Sequence, residues 1–392
     1  MKKVLWLASW YPNETDPFSG DFIKRQAEAV SIYQSLNVLW VGKYAPRYFS
    51  EKTERINIES RKSNLKEYIL YYPALGNDNN IFSKIKSLYN YFNKNREFIR
   101  QLRKKNELPD IVHVHVAIKA GLIAFYMNWK YKVPYVLTEH WSGYYSVAKD
   151  SLFKKSYLTR YLTRMIIKKS EMLLPVSEAL GKQINKYWVQ VPFQKIPNVV
   201  NTQFFYPSKY RKENRFRFIH ISSLLYPKNP GGIVKSFVEL LKQGFEIDLI
   251  LVGPLNPELN KLIQTTGLYN ENILCTGEIP YEQVGTELRS SSALVMFSFY
   301  ENMPCVILEA LCTGVPVIAT RVGGIPEVIQ EDNGILINAG DETGLLEAMK
   351  EMISNYHLYK KENISSKATY QFSYEAIGKR ITEVYDSVLK NK

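Results

Sequence analysis

Residues 297–320, FSFYENMPCVILEALCTGVPVIAT, hold the side chains whose types and order best suit chemistry in this sequence. The pattern predicts a strand, a short loop with Glu301 and Pro304, and a helix that carries Glu309 about two turns from its start. Gly314 then ends the helix and a second strand follows. Backbone N–H groups at the start of such a helix favour a phosphate, and both carboxylates could face the same ligand. Glutamates eight residues apart also occur elsewhere in the chain, so the surrounding elements, and not the spacing, single out this pair.

Further titratable side chains lie on or just after predicted strands. Lys228, in SLLYPKN, could neutralise an anion, although its surroundings in the sequence would equally suit a surface lysine. His140 follows an apolar strand, a position that is more often structural than catalytic. His113 and His115 lie two residues apart and therefore share one face of a strand, as a metal-binding pair would. No third ligand accompanies them in the sequence, and we interpret them as structural.

Strand-like and helix-like patterns alternate along the chain, which predicts α/β units with doubly wound, mostly parallel sheets. In the first half, five apolar runs are interpreted as buried strands, at 4–10, 36–42, 110–116, 134–140 and 171–177. The longer segments between them are interpreted as helices. The second half repeats the theme at 216–224, 246–253, 293–298 and 316–320. A final amphipathic helix is predicted over 373–390, with Ser373 as its cap.

Two domains of similar size are predicted, joined by a polar, aromatic and basic linker at 197–215. The first comprises residues 1–200 and is completed by the C-terminal helix 373–392; the second comprises 201–372. Two Rossmann-like domains that face each other would place the carboxyl ends of both sheets on one cleft. We therefore expect the active site in that cleft.

Length and composition exclude several classes of protein. The 392 residues are 45% hydrophobic and 23% charged, as in globular proteins and unlike disordered or collagen-like chains. Three cysteines are too few for a disulfide framework and fit a cytoplasmic protein. The start, MKKVLWLASWYPNETD, lacks a small-residue cleavage site, so we interpret it as a buried strand and not as a signal peptide. No run of 18 apolar residues predicts a membrane-spanning helix.

Positive charge is concentrated in the first half. The chain has 51 Lys and Arg against 38 Asp and Glu; residues 1–195 hold 32 and 16 of these, a net of +16, and the remainder hold 19 and 22, a net of −3. Segment 84–105 has eight basic residues and one glutamate, and segment 151–169 has six and no acid. Either could be a basic amphipathic helix on anionic headgroups, or a helix with its apolar face in the core. Single-stranded nucleic acid is a further candidate, but no recognition module accompanies the charge.

Several of these segments resemble, in order, the retaining glycosyltransferases of family 4, the group 1 enzymes, which have the GT-B fold. The run ENMPCVILEALCTGVPVIATRVGGIPEVI is similar to the E-x7-E region of that family. Four other segments resemble its phosphate segment, its linker, its acceptor-side histidine segment and its first glycine loop: SLLYPKN (223–229), PNVVNTQFF (197–205), TEHWSG (138–143) and PFSGDFIKR (17–25).

The resemblance implies a role for each matching residue. Glu309 would bind the ribose hydroxyls of a sugar nucleotide, and Glu301 would hold hydroxyls of the donor sugar. Lys228 would neutralise the departing diphosphate. Gly20 would let the backbone approach that diphosphate from the other domain, and His140 would lie near the transferred sugar.

The resemblance also implies backbone contacts and shows departures from the pattern. The chain around Gly277 would lie near the base, and the site loop would contact phosphate and sugar through Asn302, Met303, Pro304, Cys305 and Val306. Within the donor segment, Ser223 stands where the family usually has arginine and Asn229 where it has glycine, so Lys228 would bear the charge with less help. The sequence contains no Asp-x-Asp motif, and we expect no metal and no cofactor.

The sequence as a whole predicts a retaining hexosyltransferase that needs no metal. It would move a sugar from a UDP- or GDP-sugar to a hydroxyl of a lipid-linked saccharide during synthesis of a cell-surface polysaccharide, such as lipopolysaccharide or capsule. The protein would be cytoplasmic, peripheral at the inner face of the membrane, and without a nucleic-acid partner. Two alternatives remain: a sugar-nucleotide 2-epimerase of the same fold, and a non-enzymatic basic protein that binds membranes or nucleic acid.

Overall fold

A computed structural model describes residues 2–44, 64–73, 81–208 and 215–390, which form two compact units with one parallel sheet each. The first unit comprises 1–176, 181–196 and 374–392, and the second comprises 177–180 and 197–373. Residues 197–208 and 215 of the predicted linker thus belong to the second unit, and 209–214 lie outside the described residues. Residues 177–180, which the sequence analysis placed in the first domain, also belong to the second unit.

The first unit is built on a sheet in the order β3-β2-β1-β4-β5-β6. Its strands are β1 Lys3–Ala8, β2 Ser35–Tyr44, β3 Leu65–Pro73, β4 Ile111–His115, β5 Tyr135–Glu139 and β6 Met172–Pro175. Strand β1 lies between β2 and β4, so Trp6 pairs with Val38 on one side and with His113 on the other. The central strands are buried on both faces, which explains why they are continuous apolar runs in the sequence.

Helices cover both faces of this sheet. They are α1 Asp21–Ser31, α2 Ile81–Lys104, α3 Ala120–Tyr131, α4 Tyr157–Lys169, α5 Glu178–Tyr187 and, from the end of the chain, α12 Tyr374–Lys390. Of α5, only residues 181–187 belong to the first unit. The crossovers from β1 to β2 and from β3 to β4 run in opposite directions along the sheet. Because parallel crossovers are right-handed, α1 and α2 lie on opposite faces. Helix α1 packs on α12, and α3 contacts both α2 and α4.

The second unit repeats the architecture with the order β12-β11-β10-β7-β8-β9. Its strands are β7 Phe216–Ile221, β8 Ile247–Val252, β9 Ile273–Gly277, β10 Ala293–Met296, β11 Val317–Thr320 and β12 Gly334–Ile337. Its helices are α6 Pro230–Lys242, α7 Pro257–Thr266, α8 Tyr281–Ser290, α9 Cys305–Cys312, α10 Glu342–Ser354 and α11 Lys361–Phe372. Large apolar side chains such as Phe218, Phe237 and Phe297 fill the core between sheet and helices. The predicted α/β class with doubly wound sheets is confirmed.

Three strands and two helix positions differ from the sequence prediction. Strands β3, β9 and β12 were not predicted, and β3 lies in a segment interpreted as helical. The predicted helix over 151–169 begins only at Tyr157, because the Ser156 hydroxyl caps it by accepting from the Thr159 N–H at 3.3 Å. Helix α9 begins at Cys305, so Glu309 lies one turn inside it and not two.

Candidate active site

The loops after β7 and β10 build the centre of the site in the second unit. These strands are neighbours in the sheet, but the chain leaves β7 toward β8 and leaves β10 toward β11, in opposite directions. Such a switch point is where open α/β sheets bind ligands at the carboxyl ends of their strands. Lys228 lies in the loop after β7 and Glu301 in the loop after β10, and the Phe299 N–H joins the loops by donating to the Pro227 carbonyl at 2.9 Å.

Lys228 and Glu301 form an ion pair at this point. The Lys228 ammonium donates to Glu301 Oε1, which also accepts from the Ser298 hydroxyl at 2.9 Å. The Glu301 side chain is 10% exposed and that of Lys228 is 23% exposed, so the pair is shielded from water on most sides. A shielded pair of this kind orients the ammonium, because each charge loses its compensation when the other moves away.

A buried histidine positions the loop that carries Lys228. His220 Nδ1 lies 2.7 Å from the Val295 carbonyl, which can only accept, so Nδ1 donates and Nε2 accepts from the Ser222 hydroxyl at 2.8 Å. Burial lowers the pKa of His220 to about 4, which keeps this ring neutral. The Ser222 hydroxyl in turn accepts from the Leu224 N–H at 2.9 Å. The first turn of the loop is thereby fixed to β10.

The two departures from the family pattern have different structural outcomes. Ser223 is exposed at the start of the loop. Asn229 adopts the left-handed conformation, with φ 50°, that the usual glycine would adopt easily, and its side chain caps α6 by accepting from the Gly232 N–H at 3.3 Å. Asparagine is one of the few residues that tolerate this conformation, so the replacement preserves the turn and adds a cap.

The loop 301–304 is held by backbone contacts on both sides. The Met303 carbonyl accepts from the Asn198 side-chain amide at 2.9 Å, and the Asn302 carbonyl accepts from the Gly324 N–H at 2.7 Å. A Cβ on Gly323 would lie 1.9 Å from the Glu301 carbonyl oxygen, so only glycine allows this approach. The turn predicted at 323–324 therefore supports the loop that presents Glu301.

Glu309 is buried on α9, one turn from the helix start, with 4% of its surface exposed. Its Oε1 accepts from the Tyr281 hydroxyl at 2.9 Å, so Tyr281, at the start of α8, orients this carboxylate. Cys305 and Val306 form the first turn of the helix and are half-buried. Gly277 ends β9, two strands away from β7, with φ 72° and no atom within 4 Å of where its Cβ would be.

The other two predicted residues lie in the first unit. His140 follows β5, and its Nε2 lies 3.3 Å from Nδ1 of His115. Its ring packs on Phe22 with the centroids 4.7 Å apart, which places it beside the start of α1, where Gly20 is the N-cap. Gly20 has φ 63°, and a Cβ there would lie 2.6 Å from the Trp10 backbone. Close packing on Trp10 therefore requires glycine at position 20, whether or not a ligand binds there.

His113 and His115 lie on β4, a central strand of the first sheet, and are fully buried. His113 makes hydrogen bonds to the Tyr385 hydroxyl at 2.6 Å and to the Thr138 hydroxyl at 2.7 Å. Burial lowers the pKa of both imidazoles, with a smaller contribution from neighbouring histidines. Within the described ranges, no group of three His, Cys, Asp or Glu side chains could hold a metal ion. The partners of His113 suit the structural interpretation.

Glu139 is a functional candidate that the sequence analysis missed. It ends β5, directly before His140, and is fully buried. Its Oε1 accepts from the Ala117 N–H at 2.7 Å and from the Tyr144 hydroxyl at 2.8 Å. Burial raises the pKa of this carboxyl to about 7, against the opposing effect of these hydrogen bonds. Ser298, Tyr281 and Asn198 were also missed. Of these three residues, only Asn198 could have been found from the sequence, because it lies in the linker motif PNVVNTQFF.

The structure therefore brings one set of predicted residues together and leaves the others elsewhere. Lys228 contacts Glu301, whose loop leads directly into the helix that carries Glu309. Gly277 ends a strand of the same sheet. His140 and Gly20 lie near each other in the first unit. Among the residues described, no helix is long and apolar enough to span a bilayer.

Comparison with known proteins identifies the class. The two parallel α/β units match solved GT-B glycosyltransferase structures; one of them, Alr3699/HepE from Anabaena in complex with UDP-glucose, has a TM-score of 0.72 and 16% identity, with 99% of this chain and 100% of that chain covered. The family profile of glycosyltransferase family 4 matches residues 72–204, and that of the group 1 glycosyl transferases matches 202–371. The chain belongs to this glycosyltransferase family, as the resemblance predicted.

Curated relatives agree with this assignment. The chain is 27% identical to N-acetyl-alpha-D-glucosaminyl L-malate synthase from Bacillus anthracis, with 73% of this chain and 77% of that protein covered. It is 23% identical to alpha-monoglucosyldiacylglycerol synthase from Streptococcus pneumoniae, with 77% and 71% covered. The protein is therefore a group 1 glycosyltransferase, and the prediction of a transferase is confirmed at that level.

Proposed function

We propose that the protein is a retaining, metal-independent hexosyltransferase that uses a nucleotide-diphosphate sugar and glycosylates a hydroxyl of a lipid-linked saccharide. The observation that carries the proposal is the Lys228–Glu301 pair at the switch point of the second sheet, one loop away from the start of α9. A cation, a sugar-binding carboxylate and a helix N-terminus together suit a sugar diphosphate. The related structure with bound UDP-glucose supports a nucleotide sugar as the donor. We expect the nucleotide of this donor to be UDP or GDP.

In the proposed reaction, the bond between the anomeric carbon and the diphosphate oxygen breaks, and the acceptor hydroxyl attacks from the same face. The hydroxyl proton passes to the departing phosphate, so the products are the glycosylated acceptor and a nucleoside diphosphate. Lys228 stabilises the charge that develops on the diphosphate, and the N–H groups at the start of α9 assist. Glu301 binds sugar hydroxyls and orients Lys228, Glu309 binds the ribose, and His140 binds the transferred sugar.

The proposed acceptor lies at the inner face of the cytoplasmic membrane, in the synthesis of a cell-surface polysaccharide such as lipopolysaccharide or capsule. Two observations support a lipid-linked acceptor. One relative is named as the synthase of a glycosylated diacylglycerol. The first half of the chain, up to residue 195, carries the excess of basic residues, which suits anionic headgroups.

Nucleotide release tests the proposal. The purified protein is incubated in EDTA with UDP-, GDP- and ADP-sugars, with and without bacterial lipid extract, and free nucleotide and sugar products are followed by chromatography. We expect release from one donor, raised by lipid. Glu309→Gln should raise the donor KM roughly tenfold to hundredfold, because a charged acceptor of ribose hydrogen bonds is lost. Glu258→Gln, in the exposed first turn of α7, is the matched control and should leave the KM unchanged.

Each part of the proposal can fail separately. A free, epimerised sugar without acceptor would favour the 2-epimerase. An inverted anomeric centre in the product, seen by NMR, would overturn the retaining assignment. Activity that is lost in EDTA and restored by Mg²⁺ would overturn the metal-independent mechanism. If no donor releases nucleotide or shifts the melting temperature, the donor site is wrong.

A further inference from the structure

Helix α2 has two apolar stripes, and one of them faces outward. From its middle onward it buries one stripe in the first unit, at Tyr91, Phe98, Ile99 and Leu102. Its N-terminal half carries a second stripe at Phe82, Ile85, Leu88, Tyr89 and Phe92. At 3.6 residues per turn, this second stripe lies roughly a quarter-turn from the first. Phe82 is 75% exposed and Tyr89 is 67% exposed. The interpretation of segment 84–105 as a helix with its apolar residues in the core is therefore wrong for this half.

A neighbouring helix completes an apolar groove beside the outward stripe. Helix α3 presents Leu122, Phe125, Tyr126 and Trp129, which recur at the spacing of one helix face. With residues 85, 88, 89 and 92 of α2 they line an open groove of about 540 Å³. Trp129, at its edge, is 68% exposed. An open groove lined only by apolar and aromatic side chains, several of them exposed, indicates an interaction site.

Basic side chains continue the same stripe and gather at one end of the groove. Along α2, the outward positions change from apolar residues to Arg96, Arg100 and Arg103 at spacings of four and three. The helix has seven Lys and Arg against one glutamate, Glu97. At the same end of the groove, Lys130 of α3 lies with its ammonium 5.7 Å from the centroid of the Tyr131 ring, which Arg103 also contacts at 5.6 Å. The occupant must therefore be both apolar and anionic.

From this we propose that the α2–α3 groove is a membrane-docking surface, in which Ile85, Leu88, Tyr89 and Trp129 enter the acyl region of a bilayer while the arginines bind anionic lipid headgroups. Acyl chains fill the groove, and lipid phosphates neutralise the basic side chains at its end. Two copies of the chain meeting on this face would bring like charges together. Aliphatic side chains such as Ile85 and Leu88 do not stack with bases, which disfavours nucleic acid. Membrane binding by this groove does not depend on the proposed function. Only its purpose, to bring a lipid-linked acceptor to the enzyme, rests on that function.

Vesicle flotation tests the surface without any donor. The full-length protein is mixed with vesicles of phosphatidylcholine alone or with about 30 mol% phosphatidylglycerol, whose anionic headgroups attract basic surfaces. We expect binding to the anionic vesicles only. Replacing three outward side chains, Ile85→Gln, Leu88→Gln and Tyr89→Gln, should lower the partition coefficient more than tenfold. The control is Leu358→Gln with Tyr370→Gln, two apolar positions in the second unit that are at least as exposed, which should leave it unchanged.

Charge and depth are tested separately. Arg100→Gln and Arg103→Gln should each lower the partition coefficient about fivefold at physiological salt. Lys242→Gln and Lys261→Gln in the second unit are the controls. Acyl-chain-brominated lipids should quench wild-type fluorescence more than that of Trp129→Phe, because Trp129 enters the bilayer.

Three results would overturn the proposal: binding that survives the triple glutamine variant, quenching that is equal in Trp129→Phe, or a dimer in solution that the same triple variant dissociates. Donor binding separates this failure from failure of the proposed function. The triple variant should keep the donor-induced shift in melting temperature, and Glu309→Gln should keep vesicle binding.

Discussion

Lys228 and Glu301 neutralise each other where two adjacent loops of the second unit meet, and each of them needs the other to stay in place. The supporting residues are uncharged: Ser298 donates to Glu301, and the neutral His220 ring fixes the turn before Lys228 through Ser222. A neutral histidine suits this position, because a second positive charge would repel the ammonium. The supporting residues that hold the Lys228–Glu301 pair in place therefore stay uncharged near neutral pH.

The Glu139 carboxyl does titrate near neutral pH, which predicts a pH-dependent stability. Its ordinary pKa is 4.5, and burial raises it to about 7 in the folded protein. Between these values the unfolded chain releases the proton and the folded chain keeps it. Stability therefore falls as the pH rises from 4.5 to 7 and levels off above, by about 3 kcal/mol in total. The loss is absent below 4.5, where both states are protonated.

Glu139→Gln isolates this effect, because the amide keeps the shape and cannot titrate. We expect the free energy of unfolding of the variant, relative to wild type, to increase by about 3 kcal/mol between pH 4.5 and 8, measured from denaturant curves of the first unit. The buried imidazoles of His113 and His115 contribute equally to both proteins and cancel. Glu97→Gln, on the exposed side of α2, serves as the control. A difference that does not change with pH would contradict the assigned protonation.

At the scale of elements, long apolar runs were predictable and short ones were not. β1 and β5 are buried on both faces, so their sequences are continuous apolar runs. β12 has only four residues, GILI, and too few positions to show a period. β3 mixes Lys66 and Glu67 with apolar residues, which resembles a helix pattern until its partner β2 is known. Likewise the predicted strand, loop and helix around Glu301 and Glu309 marked the site, but Tyr281, the partner of Glu309, is distant in the sequence and only the fold brings the two together.

Two glycines with the same backbone angle allow a matched test of the turn after β9. Gly277 and Gly267 both have φ 72° and open space where a Cβ would be. Alanine at either position costs the same left-handed strain, about 1–2 kcal/mol. If the backbone at Gly277 lies near the nucleotide base, Gly277→Ala should also raise the donor KM several-fold. Gly267→Ala, at the end of α7, should not. Equal KM values, measured by titration calorimetry or kinetics, would exclude Gly277 from the donor site.

At the scale of the whole molecule, the chain divides its charge between its two halves. Residues 1–195 have a net charge of +16 and the remainder −3. The proposed donor site around Lys228 therefore lies in the half whose net charge is negative, so long-range attraction of donors cannot explain the charge distribution. The excess in the first half instead coincides with the exposed groove of α2 and α3. This separation suits a protein whose two halves meet different anions, a lipid surface and a soluble sugar nucleotide.

The end of the chain closes the first unit, and one hydroxyl links it to the sheet. Tyr385, on α12, is fully buried; its oxygen accepts from Trp6 Nε1 at 3.0 Å, and its hydroxyl shares a hydrogen bond with His113 Nδ1 at 2.6 Å. Tyr385→Phe would leave both partners without a hydrogen bond in the core, so we expect a loss of about 1–3 kcal/mol in the unfolding of the first unit. Tyr33→Phe removes an exposed hydrogen bond to the same helix, to the Glu375 carbonyl at 3.2 Å, and should cost under about 0.5 kcal/mol. Denaturant curves measure both. Equal losses in the free energy of unfolding would mean that the buried hydroxyl of Tyr385 stabilises the unit no more than the exposed hydroxyl of Tyr33. Helix α12 would then be held by its apolar stripe alone.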